Sequence, residues 1–255
     1  MQEVLDNVVF IIVRPSYPGN IGAAARAMKN FGFSQLRLVE PPHGYKEYKD
    51  KWMAVGAYDL LENSVVFDSL SEALKDISLA VATSSARRRD EAPEAITEVT
   101  PKVIGALPRQ KVAFVFGNEQ NGLVKDELHR CHHIATIPSN PEFPVLNLAQ
   151  AVGIVAWEMW QTVCSQHVVC TVPNSEPHPV IDVPLSTGAI DDDLFSQIDR
   201  LLHVAGFTRT YNRDLVVQEL RAVYQRMHPT AREVDLIKGA LYKINDALEL
   251  TAKAD

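Results

Sequence analysis

The chain has 255 residues, 46% hydrophobic and 22% charged, enough for one sizeable core and a small second unit and unlike a disordered or fibrous protein. A net charge of −7 and a pI near 5.6 exclude a broadly basic nucleic-acid binder, although residues 86–90, "ARRRD", concentrate positive charge locally. No apolar run is long enough for a membrane span, "MQEVLDN" carries no signal-peptide pattern, and Cys131, Cys164 and Cys170 lack a framework spacing, so reduced thiols in a cytoplasm are expected.

In chain order, Val8 to Val13 is a short apolar, β-branched run and reads as a buried strand. Pro15, Pro18 and Gly19 interrupt it, and Asn20 reads as the N-cap of a helix. Gly22 and Ala23 to Ala25 give that helix a thin surface open to close approach, and Gly32 stands in the C′ place that ends it. "QLRLVEPP" is a second strand. The unit is a βαβ crossover whose first loop lies at the carboxyl end of a strand, where open α/β sheets bind ligands. On this stretch alone a purely structural reading stands equally: Asn20 caps, the small residues pack, and Arg26 is solvated. The loop lacks both the Lys-Ser/Thr of a phosphate loop and the three-glycine dinucleotide spacing.

Further along, Trp52 to Leu61 reads as helix, "SVVF" as a strand, "SLSEALKD" as a helix capped by Ser69 or Ser71, and "ISLAVATS" as a buried strand. Residues 91–110 read as a helix or loop excursion. "KVAFVFG" and "HHIATIPS" are two more strands, and "LNLAQAVGIVAWEMWQTV" is a long apolar helix. Buried strands separated by helices imply a largely parallel sheet covered on both faces. The expected organisation is an α/β domain over 1–164, a proline-containing linker over 165–190, and a helical extension over 191–255 opened by acidic residues.

Three marked loops follow three strands: "PGNIGAAAR", "FGNEQNGL" and "IPSNPEFPVLNLAQAV". In a parallel sheet they share one carboxyl edge and outline a pocket of backbone polar groups that suits an adenine-like head with little phosphate. Together, in this order and spacing, they resemble the three motifs of the SpoU branch of the SPOUT RNA methyltransferases, over roughly residues 7–164. The helical tail, "LVVQELRAVYQRMHPTAREVDLIKGAL" above all, is similar to the extension of the bacterial subgroup that methylates tRNA ribose at anticodon-loop position 32.

The resemblance implies a mostly parallel α/β sheet with a deep C-terminal trefoil knot, S-adenosylmethionine as cofactor, tRNA as substrate, and a homodimer whose sites are completed across the interface. By motif position it implies catalytic roles for Arg26, Asn20, Glu119 and Asn147, with Glu119 helping to hold the active-site arginine. It implies cofactor contacts at Thr83, Ser84, Gly117, Gly122, Ile137, Val145 and Leu146. Two positions depart from the pattern. Val145 stands where relatives often carry Ser, so no hydroxyl is available there. Asn118 stands where the position-32 subgroup often carries Arg. An rRNA or another tRNA position, or a cofactor- or RNA-binding protein without turnover, remain the alternatives.

Arg14, Arg87, Arg88 and Arg89 are candidates for RNA phosphate contact. Arg213, Arg221 and Arg226 in the tail either extend that footprint or solvate a helix face. Trp157 and Trp160, at helical spacing, read as core or dimer interface. "HRCHH", His129 to His133, matches no common zinc spacing, and no metal is expected. A guanidinium has no lone pair for general base work, so Arg26 is expected to grip a phosphate and stabilise the forming alkoxide while a phosphate oxygen or water takes the proton.

Overall fold

The computed structural model describes residues 2–45, 53–85, 92–107, 109–167 and 186–251. After a short helix α1 (Gln2–Leu5), the chain alternates β1 (Val8–Val13), α2 (Pro18–Asn30), β2 (Gln35–Val39), α3 (Tyr58–Glu62), β3 (Val65–Phe67), α4 (Leu70–Ala73) and β4 (Leu79–Thr83). It continues through β5 (Glu94–Ala95), α5 (Ile96–Ile104), β6 (Val112–Phe116), α6 (Lys125–His129), β7 (His133–Thr136) and α7 (Leu148–His167). The tail holds α8 (Gly188–Val204), α9 (Arg213–Gln225) and α10 (Ala231–Thr251).

The strands form a seven-stranded sheet in the order β3-β2-β1-β6-β4-β7-β5, and every pairing is parallel. Both faces are covered, which is why β1 and β6 can be apolar at every position. Val8, Phe10 and Ile12 join Phe114 and Phe116 beneath α2, α5 and α7, while Val9, Ile11 and Val13 face α4 and α6 on the other side. Phe10 is the aromatic centre of the first layer, with ring centroids 5.2 Å from Phe33, 6.1 Å from Phe114 and 6.0 Å from Phe116. The thin face of α2 is approached by α7: Ala24 and Ala25 are fully buried, and Gly153 of α7 lies over Ala27. Gly32, at φ +78°, ends α2, with its own amide on the Lys29 carbonyl and that of Phe33 on the Met28 carbonyl.

The structure corrects several local expectations. Asn20 does not cap α2: Tyr17 is the N-cap, Pro18 opens the helix, and Asn20 lies inside the first turn. The helix expected from Trp52 is only Tyr58–Glu62, because the chain turns at Gly56, φ +78°; Trp52 lies outside the described residues. Ser69, not Ser71, caps α4, its hydroxyl accepting from the Glu72 amide at 3.2 Å. Trp160 packs against the core beside Phe31, and Trp157 stays half-exposed.

The tail docks on the α4 and α6 face. Asp192 of α8 accepts from Arg130 (3.2 Å), Arg221 (3.0 Å) and the Ser71 hydroxyl, and His228 packs on the rings of His132 and His133. Arg221 is therefore neither solvated nor open to a phosphate; it is buried between Asp192 and the Phe195 ring. Arg213 is forked onto Asp199 at 2.6 and 2.7 Å, and Arg226 is exposed. The histidines of "HRCHH" are similarly engaged: His132 Nδ1 accepts from the Ala80 amide, and His133 Nδ1 meets Glu94 at 2.9 Å. Burial, then the neighbouring imidazoles, push His132 down to about 3. Phe10→Ala is expected to cost about 3–5 kcal/mol, read as a lowered denaturant midpoint at unchanged slope.

Candidate active site

The strand order places the carboxyl ends of β1, β6, β4 and β7 side by side, so the loops after them meet at one edge. The loop after β1 opens with Arg14 at φ +48°, a left-handed conformation that a non-glycine residue adopts only when its surroundings hold it there. No side chain of its own caps α2. Glu119, on the loop after β6, supplies the acceptor instead. Its carboxylate takes the amides of Ser16 (2.7 Å) and Tyr17 (3.4 Å) and the Asn20 Nδ2 (2.8 Å). An anion at a helix N-terminus also faces the positive end of the helix dipole.

The chain of bonds continues into the third loop. Asn20 Oδ1 accepts from Asn147 Nδ2 at 3.1 Å. Asn147 in turn starts α7: its Oδ1 accepts from the Ala149 amide, and its own amide is bonded by Gln150 Oε1, a reciprocal cap. Three motifs, the first and last separated by 127 residues, are thus joined by Glu119, Asn20 and Asn147.

The loop after β6 is pinched shut. The Gly122 amide donates to the Asn118 carbonyl at 2.8 Å, Gly122 sits at φ +67°, and a Cβ on Gly117 would overlap the backbone of Gly122 and Leu123. Beside it lies a pocket of about 310 Å³. Thr83, Ser84, Gly117, Gly122, Ile137, Val145 and Leu146, the residues matched to cofactor contacts, all line it. No Lys or Arg does. Sequence reasoning missed Thr136, which also lines it and whose buried Oγ1 has no partner among the described residues; its place at the last position of β7 was the available signal. The Thr83 hydroxyl is already committed, donating to the Val115 carbonyl at 3.0 Å.

Arg26 stands apart from this cluster. It lies six residues beyond Asn20, about 240° around the helix and roughly 9 Å along it. It is exposed and forms no ion pair or side-chain hydrogen bond among the described residues. Among the described residues, Glu119 bonds Asn20 and two amides, and Arg26 is not one of its partners. Arg14, an expected phosphate contact, is paired within the fold. Its guanidinium is forked onto the buried Glu127, with Nη2 to Oε2 at 2.9 Å. Arg87, Arg88 and Arg89 lie outside the described residues. Among those residues no group of three or more His, Cys, Asp or Glu side chains is gathered as for a metal.

Burial alone would raise the Glu119 carboxyl, but the hydrogen bonds from Asn20, Ser16, its own amide and Tyr17 outweigh it and hold the group below the ordinary carboxylate range. Such a depressed group stabilises the fold above its unfolded value, about 4.3, and that contribution disappears as pH falls through the folded value.

A parallel α/β sheet covered on both faces, with a pocket built from loops at its carboxyl edge, defines a doubly covered α/β protein with a candidate ligand site where such sheets bind their ligands. The chain belongs to the SpoU rRNA Methylase family, whose model matches residues 7–157. It is 34% identical over 249 residues to the tRNA (cytidine/uridine-2′-O-)-methyltransferase TrmJ of Pectobacterium atrosepticum, covering 94% of this chain and 98% of that one. Identity to the Sodalis glossinidius protein of the same description is 36% over 246 residues, with 94% and 92% coverage. The crystal structure of TrmJ from Z. mobilis ZM4 matches with a TM-score of 0.78 at 27% identity, over 93% of this chain and 98% of that one. A probable methylase family protein from Haemophilus influenzae Rd KW20 matches at 0.59 and 31% identity, over 97% and 99%.

Two outcomes test the site geometry. Gly117→Ala is expected to destabilise the protein by about 1–3 kcal/mol through overpacking, measured by thermal unfolding. The melting temperature of the wild type is expected to fall on acidification from about pH 5 to pH 3, and Glu119→Gln to flatten part of that fall while lowering stability near neutral pH.

Proposed function

We propose that this protein methylates a ribose 2′-hydroxyl in tRNA with S-adenosylmethionine as donor, the target being anticodon-loop position 32. The observation that carries the reading is the pocket at the sheet edge, built from the loops after β4, β6 and β7 and tied by Glu119, Asn20 and Asn147 to the head of α2. The relatives that match nearly the whole chain, tail included, are named as tRNA (cytidine/uridine-2′-O-)-methyltransferases.

The residues fit this donor. The pocket wall is apolar at Phe116, Ile137, Val145 and Leu146, as a purine face requires, and the unpartnered Thr136 Oγ1 is a buried polar atom awaiting a hydrogen bond. Among the described residues the lining holds no Lys or Arg, which suits a ligand without phosphate, and the Glu119 carboxylate suits one with a positive sulfur. When bound, the donor supplies a methyl already activated by its sulfonium. The remaining demands are alignment of the hydroxyl and removal of its proton. Asn147 and Asn20, each fixed by the next group in the chain of bonds, present amides for orienting the ribose.

Arg26 remains cationic in this reading. Its fork grips the neighbouring RNA phosphate and steadies the forming alkoxide, while a phosphate oxygen or water accepts the proton. Its exposure, with no partner among the described residues, is what a site completed by a second copy needs, and we propose a homodimer on that ground. The neighbour order β6-β4-β7, in which the chain returns across β4 after leaving β6, supports the deep knot implied by the family resemblance. The division into a methyltransferase domain over 1–164, a linker and a helical extension from 191, and a cytoplasmic setting, belong to the same proposal.

Nucleoside mass spectrometry on unmodified bulk tRNA, incubated with S-adenosylmethionine and the protein, is expected to yield a 2′-O-methylpyrimidine that fragment mapping places at position 32. No product from the wild type would refute the reading. Arg26→Ala is expected to lose about 100-fold or more in turnover, and Arg26→Lys nearly as much because Lys lacks the planar fork; near-wild-type turnover by Arg26→Lys would refute the fork.

A further inference from the structure

Asn118 follows the first glycine of the second loop motif, and its side chain is saturated. Nδ2 donates to the Arg14 carbonyl at 2.7 Å and to Ser16 Oγ at 2.6 Å. Oδ1 accepts from the amides of Gln120 at 2.8 Å and Asn121 at 3.3 Å. A primary amide has two donor hydrogens and two acceptor lone pairs, and all four are used. The two ends face different parts of the site. The oxygen shapes the loop that lines the pocket; the nitrogen reaches across to the loop that leads into α2.

That second loop needs holding. Arg14 lies at φ +48°, a conformation kept by three ties: its amide on the Val39 carbonyl at 2.8 Å, its guanidinium on Glu127, and its carbonyl under Asn118 Nδ2. Two residues on, the Ser16 and Tyr17 amides must point at Glu119 for that carboxylate to aim Asn20. Ser16 is gripped at both its hydroxyl and its amide by consecutive residues, Asn118 and Glu119.

We propose that Asn118 is a positioning residue for methyl transfer: its carboxamide locks the loop at residues 14–17 onto the pocket loop, so that filling the pocket and aligning the RNA-side groups are one arrangement. The inference rests on the methyltransferase reading for its kinetic consequence, but not for its structural one.

Asn118→Asp separates the two ends, since it keeps acceptors for Gln120 and Asn121 and loses both donors. Asn118→Ala loses both ends. With Asn118→Asp, S-adenosylmethionine affinity by titration calorimetry is expected to stay within about threefold of wild type, while kcat on tRNA falls about 30- to 100-fold. With Asn118→Ala, donor affinity and kcat are both expected to fall. Amide hydrogen exchange at Ser16 and Tyr17 gives a readout independent of activity, with protection expected to drop at least tenfold in both variants. Wild-type kcat in Asn118→Asp, equal losses of affinity and turnover in it, or unchanged exchange at Ser16 and Tyr17 would each overturn the proposal. An inactive wild type would overturn the methyltransferase reading instead, and the exchange arm would still decide whether Asn118 fixes the loop.

Discussion

The site depends on one carboxylate placed at the head of one helix. Glu119 takes the amides of Ser16 and Tyr17, which lead into α2, and the side chain of Asn20 within its first turn. Burial disfavours the charge, and the donors more than compensate for it. Without that acceptor, the amides of Ser16 and Tyr17 would lose their partner and Asn20 would be held by Asn147 alone. With it, the loops after β1, β6 and β7 behave as one body, and the pocket beside them is bounded on fixed walls. Asn118 and Glu119, adjacent in sequence, act from the same loop in complementary ways: one grips a carbonyl and a hydroxyl, the other grips amides.

The sheet makes this possible. The order β1-β6-β4-β7 brings four strand ends together that are scattered from residue 13 to residue 136. The layer of aromatic rings around Phe10 holds β1 and β6 in register beneath α2, so the start of α2 and the loop after β6 are set by the same packed core. The close approach of α7, over Ala27 through Gly153, fixes the other end of the hydrogen-bonded chain, where Asn147 begins that helix.

On the far face, the tail is tied down by polar groups more than by a large apolar contact. Asp192 joins Arg130 at the end of α6 to Arg221 of α9, and Asp191 is buried with the Tyr224 hydroxyl donating to it at 2.5 Å. Burial raises the Asp191 carboxyl. Buried ion pairs of this kind contribute little net stability but make the loss of one partner costly. They specify where the tail sits, as do His132 and His228, which burial keeps neutral near pH 7.

Much of this was legible along the chain. The apolar runs at β1 and β6, the βαβ unit, the glycine stop of α2 and the three loop motifs are local patterns, and hydrophobic period and turn chemistry act locally. What the sequence by itself determined is therefore the alternation of elements, the covered sheet and the identity of the loops that meet at its edge. The two-residue strand β5 was not legible, being too short to leave a period, nor was the shortening of α3 by the turn at Gly56. Partners were not legible either. Asn20 looks like a cap by its neighbours, yet its side chain goes to Glu119 and Asn147; Arg14 and Arg221 look like open charges, yet each is claimed by a carboxylate. Tertiary structure decided these because a hydrogen bond or ion pair across 100 residues is chosen by which groups the fold brings within 3 Å, and no local pattern encodes that distance.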